Sequence, residues 1–280
     1  MHLSNSPRQS SGGGITGTPA IAAPVPAISR QSTLFPRHAV VELPRREQSA
    51  DSLGEAQADD QHWYYIKGDA HGRPVRASEW ICTHIAEDVH IGAPTCALIR
   101  LQSGLVVFGS RRIAQVSDNI ATARYLTTPT ESNASGADND LNKLLSSIYA
   151  FDMFVNNDDR HLGNYLTVED RGVRRLYAFD FSRALFWHWP FQGFPAHDCN
   201  TLGGGRLLRS LHSFDEAAAM ATLDMIEGLA SSVLQGFISR MPADWLPPDV
   251  QTAFLEWWDN GGRTKRLDDL RKGIGDGTLL

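Results

Sequence analysis

The stretch Asn-Asn-Asp-Asp-Arg-His-Leu-Gly-Asn-Tyr-Leu at 156–166 concentrates acids, amides and a histidine behind an apolar run. Within it, Asp159 and Asn164 are spaced as D-x4-N. Carboxylate and amide oxygens are ligands that Mg²⁺ accepts, and Mg²⁺ completes its coordination with substrate phosphates and water. D-x4-N is the spacing of a kinase catalytic loop, in which the Asp is the base and the Asn binds magnesium. Asp158 is adjacent, but the five-residue step to Asn164 selects Asp159.

Three more polar residues extend this pattern to a phosphoryl-transfer set. Asp180 follows the loop in Ala-Phe-Asp-Phe-Ser, at the place of a second metal ligand. Lys67 closes the apolar stretch Tyr-Tyr-Ile-Lys, and Glu79 lies on the next predicted helix. A strand lysine paired with a helix glutamate anchors ATP phosphates in kinases. Each residue is a weak signal alone, but their order along the chain, lysine, glutamate, D-x4-N and then aspartate, is fairly specific.

Further residues around the loop are candidates for supporting roles. Asp152 lies on the apolar stripe of a helix predicted at 141–155, where a carboxylate is costly unless it is paired and hydrogen-bonded. Its candidate partners are Arg160, His161 and backbone N–H groups, so Asp152 is predicted to brace the loop. If the helix is rotated instead, Asp152 is solvated. His161 either orients Asp159 or contacts a phosphate, and the alternative is a structural histidine bonded within the loop.

The distribution of apolar residues predicts the elements that carry these side chains. The first part reads as strands at 38–44 and 62–68, a helix at 77–89 and a hairpin across 102–104. The second part reads as helices at 141–155, 213–241, 247–260 and 264–272, with a hairpin around 170–172. The polar stretch 46–61 is predicted to be turn-rich, and Gly203 to Gly205 to form a flexible loop near the site mouth. The fold class is therefore α+β.

Composition limits the class of protein. The 280 residues have a net charge of -6 and no long basic block, so direct nucleic-acid binding is not expected. No apolar run is long enough for a membrane-spanning helix, so no membrane span is expected. The three cysteines lack disulfide or zinc-site spacing, which favours reduced thiols and a cytoplasmic location. Residues 1–33 are rich in Ser, Pro, Gly and Ala and are predicted to be a disordered arm.

Together these segments resemble the HipA-like kinase family, in its small single-domain form. The matching segments are YYIKG (64–68), SEWICTHIA (78–86), FDMFVNNDDRHLGN (151–164) and YAFDFSRAL (177–185). The DRHLGN loop is also similar to the D-R-H-x-x-N loop of phosphatidylinositol kinases. The resemblance implies a bilobal, protein-kinase-like fold within a kinase domain at 34–280. Its small β-rich N-lobe would span about 38–115 and its mostly helical C-lobe about 116–280.

The resemblance also implies roles for the residues. Asp159 is the catalytic base or hydroxyl-orienting acid. Asn164 and Asp180 bind Mg²⁺, while Lys67 contacts ATP phosphates and is held by Glu79. Family members transfer the γ-phosphate of ATP to hydroxyl groups, on proteins in the best-known cases, so a Ser/Thr kinase is expected. An antitoxin-like protein partner also fits the family.

Three alternatives stay open in the sequence. No G-x-G-x-x-G loop precedes Lys67, and the segment 49–56 supplies only Gly54. This departure keeps a pseudokinase-type module that binds nucleotide or protein among the alternatives. A metal-dependent phosphohydrolase would use the same acids but does not explain Lys67 and Glu79. A lipid kinase is suggested by the DRHLGN loop and is weakened by the lack of a basic amphipathic helix.

Overall fold

A computed structural model of the chain describes residues 35–45, 51–129, 141–170, 173–191, 194 and 198–280. Five strands come first, with one helix, α1 (Val75–Asp88), between the third and the fourth. The strands are β1 (Arg37–Pro44), β2 (Ser52–Ala58), β3 (Trp63–Lys67), β4 (Cys96–Arg100) and β5 (Val106–Arg111). They close into a small barrel in the order β1-β2-β3-β5-β4. β1 is parallel to β4, and every other neighbouring pair is antiparallel.

Side-chain alternation along β3 directs Lys67 out of the barrel. Tyr64 and Ile66 are both 3% exposed and belong to the small core of the barrel. Because successive side chains on a strand point to opposite faces, Lys67 projects from the other face. There it meets Glu79 of α1. The strand register therefore sends the lysine towards the helical part of the chain.

The rest of the described chain is mostly helical. Its helices are α2 (Asn119–Thr127), α3 (Leu141–Phe154), α4 (Asn200–His212), α5 (Glu216–Glu227), α6 (Ser231–Arg240), α7 (Pro248–Asp259) and α8 (Gly262–Gly275). A two-stranded hairpin, β6 (Tyr165–Asp170) and β7 (Val173–Ala178), lies between α3 and α4. α3 is buried on nearly every side, which is the position of a central helix. Its Ile148 and Phe151 share one large core with Trp80 and Ile85 of α1.

The predicted α+β class is confirmed, and five predicted elements agree with β1, β3, α1, α3 and α7 to within two residues at each end. The expectation of turns across 46–61 is wrong, because β2 lies there. The residues that β2 turns into the barrel include Ala56 and Ala58, which are small and give little apolar signal. α2 is short and was not predicted. The closed barrel is likewise a feature of strand pairing that periodicity does not show.

The predicted helix at 213–241 is two helices. α5 ends at a C-cap residue, Gly228, and α6 starts at Ser231 after a bend of 75°. Gly228 has a right-handed conformation with φ of -71°, so the break does not depend on a backbone conformation that only glycine favours. The loop predicted for Gly203 to Gly205 is also wrong, because these residues lie inside α4.

Some predictions fall outside the described residues, namely the disordered arm at 1–33 and the turn at 171–172. In the described part of the chain, no single helix is long and apolar enough to cross a membrane. The bent pair α5 and α6 passes that test only when both are taken together. Cys82, Cys96 and Cys199 are all free cysteines, as their spacing predicts.

α4 packs closely on α3 because it carries glycine at the contact. A Cβ on Gly205 would lie 2.5 Å from a ring carbon of Tyr149, well inside van der Waals contact. Tyr149 is 8% exposed and its hydroxyl donates to the Leu279 carbonyl, so the ring has little room to move. A Cβ on Gly203, two residues earlier and so on a different face of α4, would meet open space. Helix packing therefore requires glycine at position 205 but not at position 203.

Gly203→Ala and Gly205→Ala should have opposite effects on the melting temperature. Alanine is favoured over glycine in a helix by about 0.5–1 kcal/mol, so Gly203→Ala should hold or raise it. Gly205→Ala must displace the Tyr149 ring, and overpacking costs about 1–3 kcal/mol, so the melting temperature should fall. Differential scanning fluorimetry of both variants measures the difference. Equal melting temperatures would contradict the close contact between α3 and α4.

Candidate active site

The ammonium group of Lys67 lies among three carboxylates. Its Nζ donates to Oε1 of Glu79 at 2.6 Å and to Oδ1 of Asp180 at 2.7 Å. It also lies 3.1 Å from Oδ2 of Asp51. The ammonium thus hydrogen-bonds to two of the carboxylates and forms an ion pair with the third. The structure thus brings together Lys67, Glu79 and Asp180, which are far apart in the sequence, and adds Asp51.

Four separate elements carry these groups. Lys67 ends β3, Asp51 directly precedes β2, and Asp180 follows β7. Glu79 lies in α1, whose N-cap is Pro74. At that position the missing N–H of proline costs no helical hydrogen bond. α1 begins two residues earlier than the sequence predicts, and Glu79 is consequently past the first turn and buried.

Burial and pairing oppose each other in this cluster. Burial disfavours the charged form of Lys67, but the surrounding carboxylates outweigh burial and hold the pKa of Lys67 above its ordinary value. Burial also disfavours charge on Asp180, yet the Lys67 ammonium and the Ser182 hydroxyl hold the pKa of Asp180 below its usual range. Glu79 is 2% exposed, and burial raises the pKa of Glu79 to about 7 against the pull of Lys67. Lys67 and Asp180 therefore keep opposite charges at neutral pH.

Asp180 has a left-handed backbone conformation, with φ of 63°. Such a conformation costs about 1–3 kcal/mol and persists only where the surroundings hold it. Here Oδ1 of Asp180 accepts from Ser182 Oγ at 2.6 Å as well as from Lys67. The next ring, Phe181, is 1% exposed and packs edge-on against Phe151 of α3. These contacts on both sides hold the Asp180 carboxylate next to the lysine.

Asp152 and Arg160 form a buried, bidentate ion pair. Asp152 Oδ2 accepts from Arg160 Nε at 2.7 Å, and Oδ1 accepts from Nη2 at 2.9 Å. Asn157 Nδ2 also donates to Asp152 Oδ1, at 2.9 Å. Asp152 is 0% exposed, so the alternative in which it is solvated is wrong. Arg160 is one of the partners that the sequence predicts for this carboxylate.

The same guanidinium also binds the backbone on both sides of the site. Nη1 of Arg160 donates to the Asn164 carbonyl at 2.9 Å and to the Phe179 carbonyl. It lies 5.0 Å from the centroid of the Phe181 ring. Burial alone would lower the pKa of Arg160, but Asp152 outweighs burial and raises it, so the group stays charged. One side chain thereby links α3, the D-x4-N loop and the residue before Asp180.

Asp159 and Asn164 are held to each other within the loop. Asn164 Nδ2 donates to the Asp159 carbonyl at 2.9 Å. Because a carbonyl only accepts, the amide nitrogen must face it and Oδ1 of Asn164 faces away. The Asp159 carboxylate is partly buried, and its Oδ1 accepts from Asn200 Nδ2 at 2.6 Å. The loop thus presents one amide oxygen and one carboxylate oxygen with no partner in the loop itself.

The other ionisable residues of the loop have different partners. His161 is exposed, and its Nδ1 accepts from the Gly163 N–H at 3.1 Å, which matches the alternative of a histidine bonded within the loop. Asp158 Oδ2 lies 2.8 Å from Nε2 of His188. Among the described residues, neither His161 nor Asp158 hydrogen-bonds to the Asp159 carboxylate.

These side chains line an open cleft of about 670 Å³, within the usual size of a small-molecule site. Its lining includes Asp159 and His161 of the loop together with Asn200 and Gly203 of α4. Arg183 also lines it, and its guanidinium lies 4.1 Å from the centroid of the Trp187 ring. The cleft is therefore open, polar and next to the carboxylate of the loop.

Asp180 and Asn164 carry oxygens of the kind that a divalent cation accepts. Carboxylate oxygens of Asp51, Glu79 and Asp180 all lie within 4.8 Å of one another, but the Lys67 ammonium already lies among them and forms an ion pair with each. The hydrogen bonds that Asp180 accepts from described residues all reach Oδ1. Oδ2 of Asp180 accepts none of these bonds, and Oδ1 of Asn164 faces away from the Asp159 carbonyl. Carboxylate and amide oxygens are both ligands that Mg²⁺ accepts.

Three residues with contacts at the site were not predicted. Asp51 lies in the stretch that was predicted to be turn-rich. Asn200 and Thr201 begin α4, where no helix was predicted. Thr201 Oγ1 donates to the Asn157 carbonyl at 2.6 Å and accepts from the Arg160 N–H at 2.9 Å. No spacing rule connects residues 41 positions apart in the chain, so the sequence carries no signal for these contacts.

A lysine–glutamate pair on a small β unit, a D-x4-N loop and an aspartate after a hairpin are the parts of a kinase site. The family model of the HipA-like kinases matches residues 44–256. The chain therefore belongs to the HipA-like kinase family. This membership supports a kinase, that is, a phosphotransferase.

Two solved structures are similar to the chain. The proinflammatory kinase CtkA of Helicobacter pylori is 13% identical, with a TM-score of 0.53 over 85% of this chain and 98% of that chain. A toxin–antitoxin complex of HipA, HipB and operator DNA from Shewanella oneidensis MR-1 has a TM-score of 0.47 at 11% identity, over 85% of this chain and 67% of that chain. No curated protein matches the chain. At 13% identity the CtkA similarity shows a shared fold.

Replacing Asp152 by Asn should destabilise the chain strongly. The change leaves the buried Arg160 guanidinium without its counter-charge, and removing one partner of a buried ion pair costs about 3–5 kcal/mol. The control is Glu169→Gln, which removes the exposed Arg174–Glu169 pair and should cost only about 0–1 kcal/mol. Urea unfolding at one pH measures both variants. An Asp152→Asn variant as stable as the control would contradict the bracing role.

Proposed function

We propose that the chain is an ATP- and Mg²⁺-dependent kinase that transfers the γ-phosphate to a hydroxyl group, on serine or threonine of a protein. The observation that carries this proposal is the Lys67 ammonium, bonded to Glu79 of the following helix and to Asp180 after the D-x4-N loop. Membership in the HipA-like kinase family supports it. A phosphohydrolase would use the acids but has no need of a buried lysine–glutamate pair.

Each residue has a role in this proposal. Lys67 neutralises charge on the ATP phosphates, and Glu79 keeps the lysine extended towards them. Asn164 and Asp180 hold Mg²⁺, which supplies charge neutralisation on the phosphates when it is bound. His161 shapes the loop through its bond to Gly163 and lies at the cleft, where it is available to a bound phosphate.

Asp159 is the base or hydroxyl-orienting acid. The acceptor oxygen forms a bond to the γ-phosphorus with one of its lone pairs. The bond between that phosphorus and the bridging oxygen breaks, and its electron pair leaves with ADP. The proton of the acceptor hydroxyl passes to the Asp159 carboxylate. Most of the rate gain then comes from positioning and from charge stabilisation by Lys67.

The proposed architecture is bilobal. Residues 38–115 with the barrel would be the small lobe and residues 116–280 the helical lobe, with ATP between them. Lys67 extends from the first part and Asp180 from the second. The ion pair between their side chains is the observation that supports a nucleotide site at this boundary.

The acceptor and the partner are proposed from the family resemblance. A protein hydroxyl is proposed as the acceptor because protein targets are the best-known case in this family. An antitoxin-like protein partner and a cytoplasmic location are proposed on the same basis. A nucleotide-binding pseudokinase is the alternative that the test below separates.

Incubation of the wild-type chain with γ-labelled ATP and Mg²⁺ tests the proposal. Label should pass to the chain itself or to dephosphorylated casein. Asp159→Ala should lower transfer by about 100-fold or more, since general-base catalysis contributes about 10²–10⁴. Asp180→Asn should lower it similarly, because the residue loses a metal-binding charge. Scintillation counting of separated protein bands measures the label.

The control variant is Asp268→Ala, which changes an exposed carboxylate of α8 and should transfer label like the wild type. ATP-induced thermal stabilisation without label transfer would support the pseudokinase instead. Release of free phosphate without any labelled acceptor would favour a phosphohydrolase. Either result with the wild type contradicts the proposed kinase.

A further inference from the structure

The first two residues of α4 are bonded to the D-x4-N loop. Asn200 Nδ2 donates to Oδ1 of Asp159 at 2.6 Å. Thr201 Oγ1 donates to the Asn157 carbonyl at 2.6 Å and accepts from the Arg160 N–H at 2.9 Å. One of these bonds reaches the reactive side chain, and the other two reach the backbone on either side of it.

Backbone packing sets the position of this helix start. Thr201 is 1% exposed, and its N–H lies 3.4 Å from the Asp158 carbonyl. A Cβ on Gly204 would lie 3.2 Å from the Arg160 carbonyl, so α4 approaches the loop closely there. Because Thr201 is buried and bonded on both sides, the backbone of Asn200 has a set position beside the loop. From this position the Asn200 side chain reaches the Asp159 carboxylate at hydrogen-bond distance.

A carboxylate that receives a proton from a hydroxyl must present one oxygen to it at hydrogen-bond distance. Rotation about the terminal torsion of an aspartate exchanges its two oxygens, and that torsion is broad. The bond from Asn200 engages Oδ1 of Asp159 and leaves Oδ2 for the acceptor. Asn200 itself lines the cleft beside Asp159.

We infer that Asn200 is a positioning residue, which aligns the Asp159 carboxylate with the acceptor hydroxyl in the cleft. The inference rests on the proposed kinase function and refines it. Asn200 acts through Asp159 and not by contact with the transferred phosphate. Thr201 holds the helix start at the distance that this bond requires.

A purely structural role for Asn200 makes a different prediction from a positioning role. Asn200 is the first residue of α4, where a negative side chain favours the helix dipole. Asn200→Asp therefore keeps the size of the side chain and suits the helix. It also removes the N–H donor and puts a second negative charge against Asp159. Asn200→Ala removes the donor without adding charge.

The two variants are measured with γ-labelled ATP at several concentrations and dephosphorylated casein as acceptor. Asn200→Ala should lower kcat by about 10-fold with KM for ATP unchanged within about twofold, since misplacement of a catalytic group reduces rate and not nucleotide binding. Asn200→Asp should lower kcat further. Its melting temperature should fall by no more than that of Asn200→Ala, since the added charge at the helix N-terminus offsets part of the repulsion from Asp159.

Asn119 offers a matched control. It is the exposed first residue of α2 and is not among the residues that line the cleft. Asn119→Ala and Asn119→Asp make the same two changes at a helix start and should keep the wild-type kcat. A loss of activity in the Asn119 variants would show that such changes at any helix start lower kcat, and it would overturn the inference.

Three results with the Asn200 variants would also overturn it. One is an Asn200→Asp variant at least as active as Asn200→Ala. Another is a loss of stability in Asn200→Ala, measured as a lower melting temperature, that is large enough to account for the fall in kcat. The third is a change confined to KM for casein, which would make Asn200 a binding residue. If the wild type transfers no label at all, the proposed function fails first and the inference with it, so the two failures are distinguishable.

Discussion

The buried guanidinium of Arg160 is the interaction on which the site depends. It forms a bidentate ion pair with Asp152 of α3 and donates to the carbonyls of Asn164 and Phe179. A buried charge is tolerated only when it is paired and its donors are satisfied, so these partners cannot separate without large cost. The loop and the residue before Asp180 are therefore held at set positions relative to the central helix.

The ion-pair cluster of Lys67, Glu79 and Asp180 connects the barrel to α1 and to the residue after β7. Lys67 leaves β3 on the face opposite the barrel core, Glu79 comes from the buried face of α1, and Asp180 follows β7. Lys67 and Asp180 stabilise each other's charge, while Glu79 is so buried that its pKa rises to about 7. The cluster is a site of concentrated opposite charge, as expected where phosphates and a metal would bind.

The sequence predicted some residues of the candidate site and missed others. Lys67, Glu79, Asp159, Asn164 and Asp180 were selected by residue type, order and spacing. The structure joins Lys67 to Glu79 and Asp180, and joins Asn164 to Asp159. Asp152 was selected because a carboxylate on an apolar stripe needs a partner. Asp51 and Asn200 were not predicted. Each lies in a segment with little apolar periodicity, and its contact joins parts of the chain that are distant in sequence. β2 and the break after Gly228 were missed because small residues and a single glycine weaken periodicity.

By itself the sequence determined the α+β class, the main strands and helices, and the family to which the chain belongs, because side-chain periodicity and motif spacing are local properties. Only the tertiary structure decided that the strands close into a barrel, that Arg160 is the partner of Asp152, and that α4 approaches the loop through Asn200. These contacts depend on how elements pack in three dimensions, and packing is set by the shape and burial of the whole core. No spacing along the chain records that Asn200 lies 2.6 Å from Asp159.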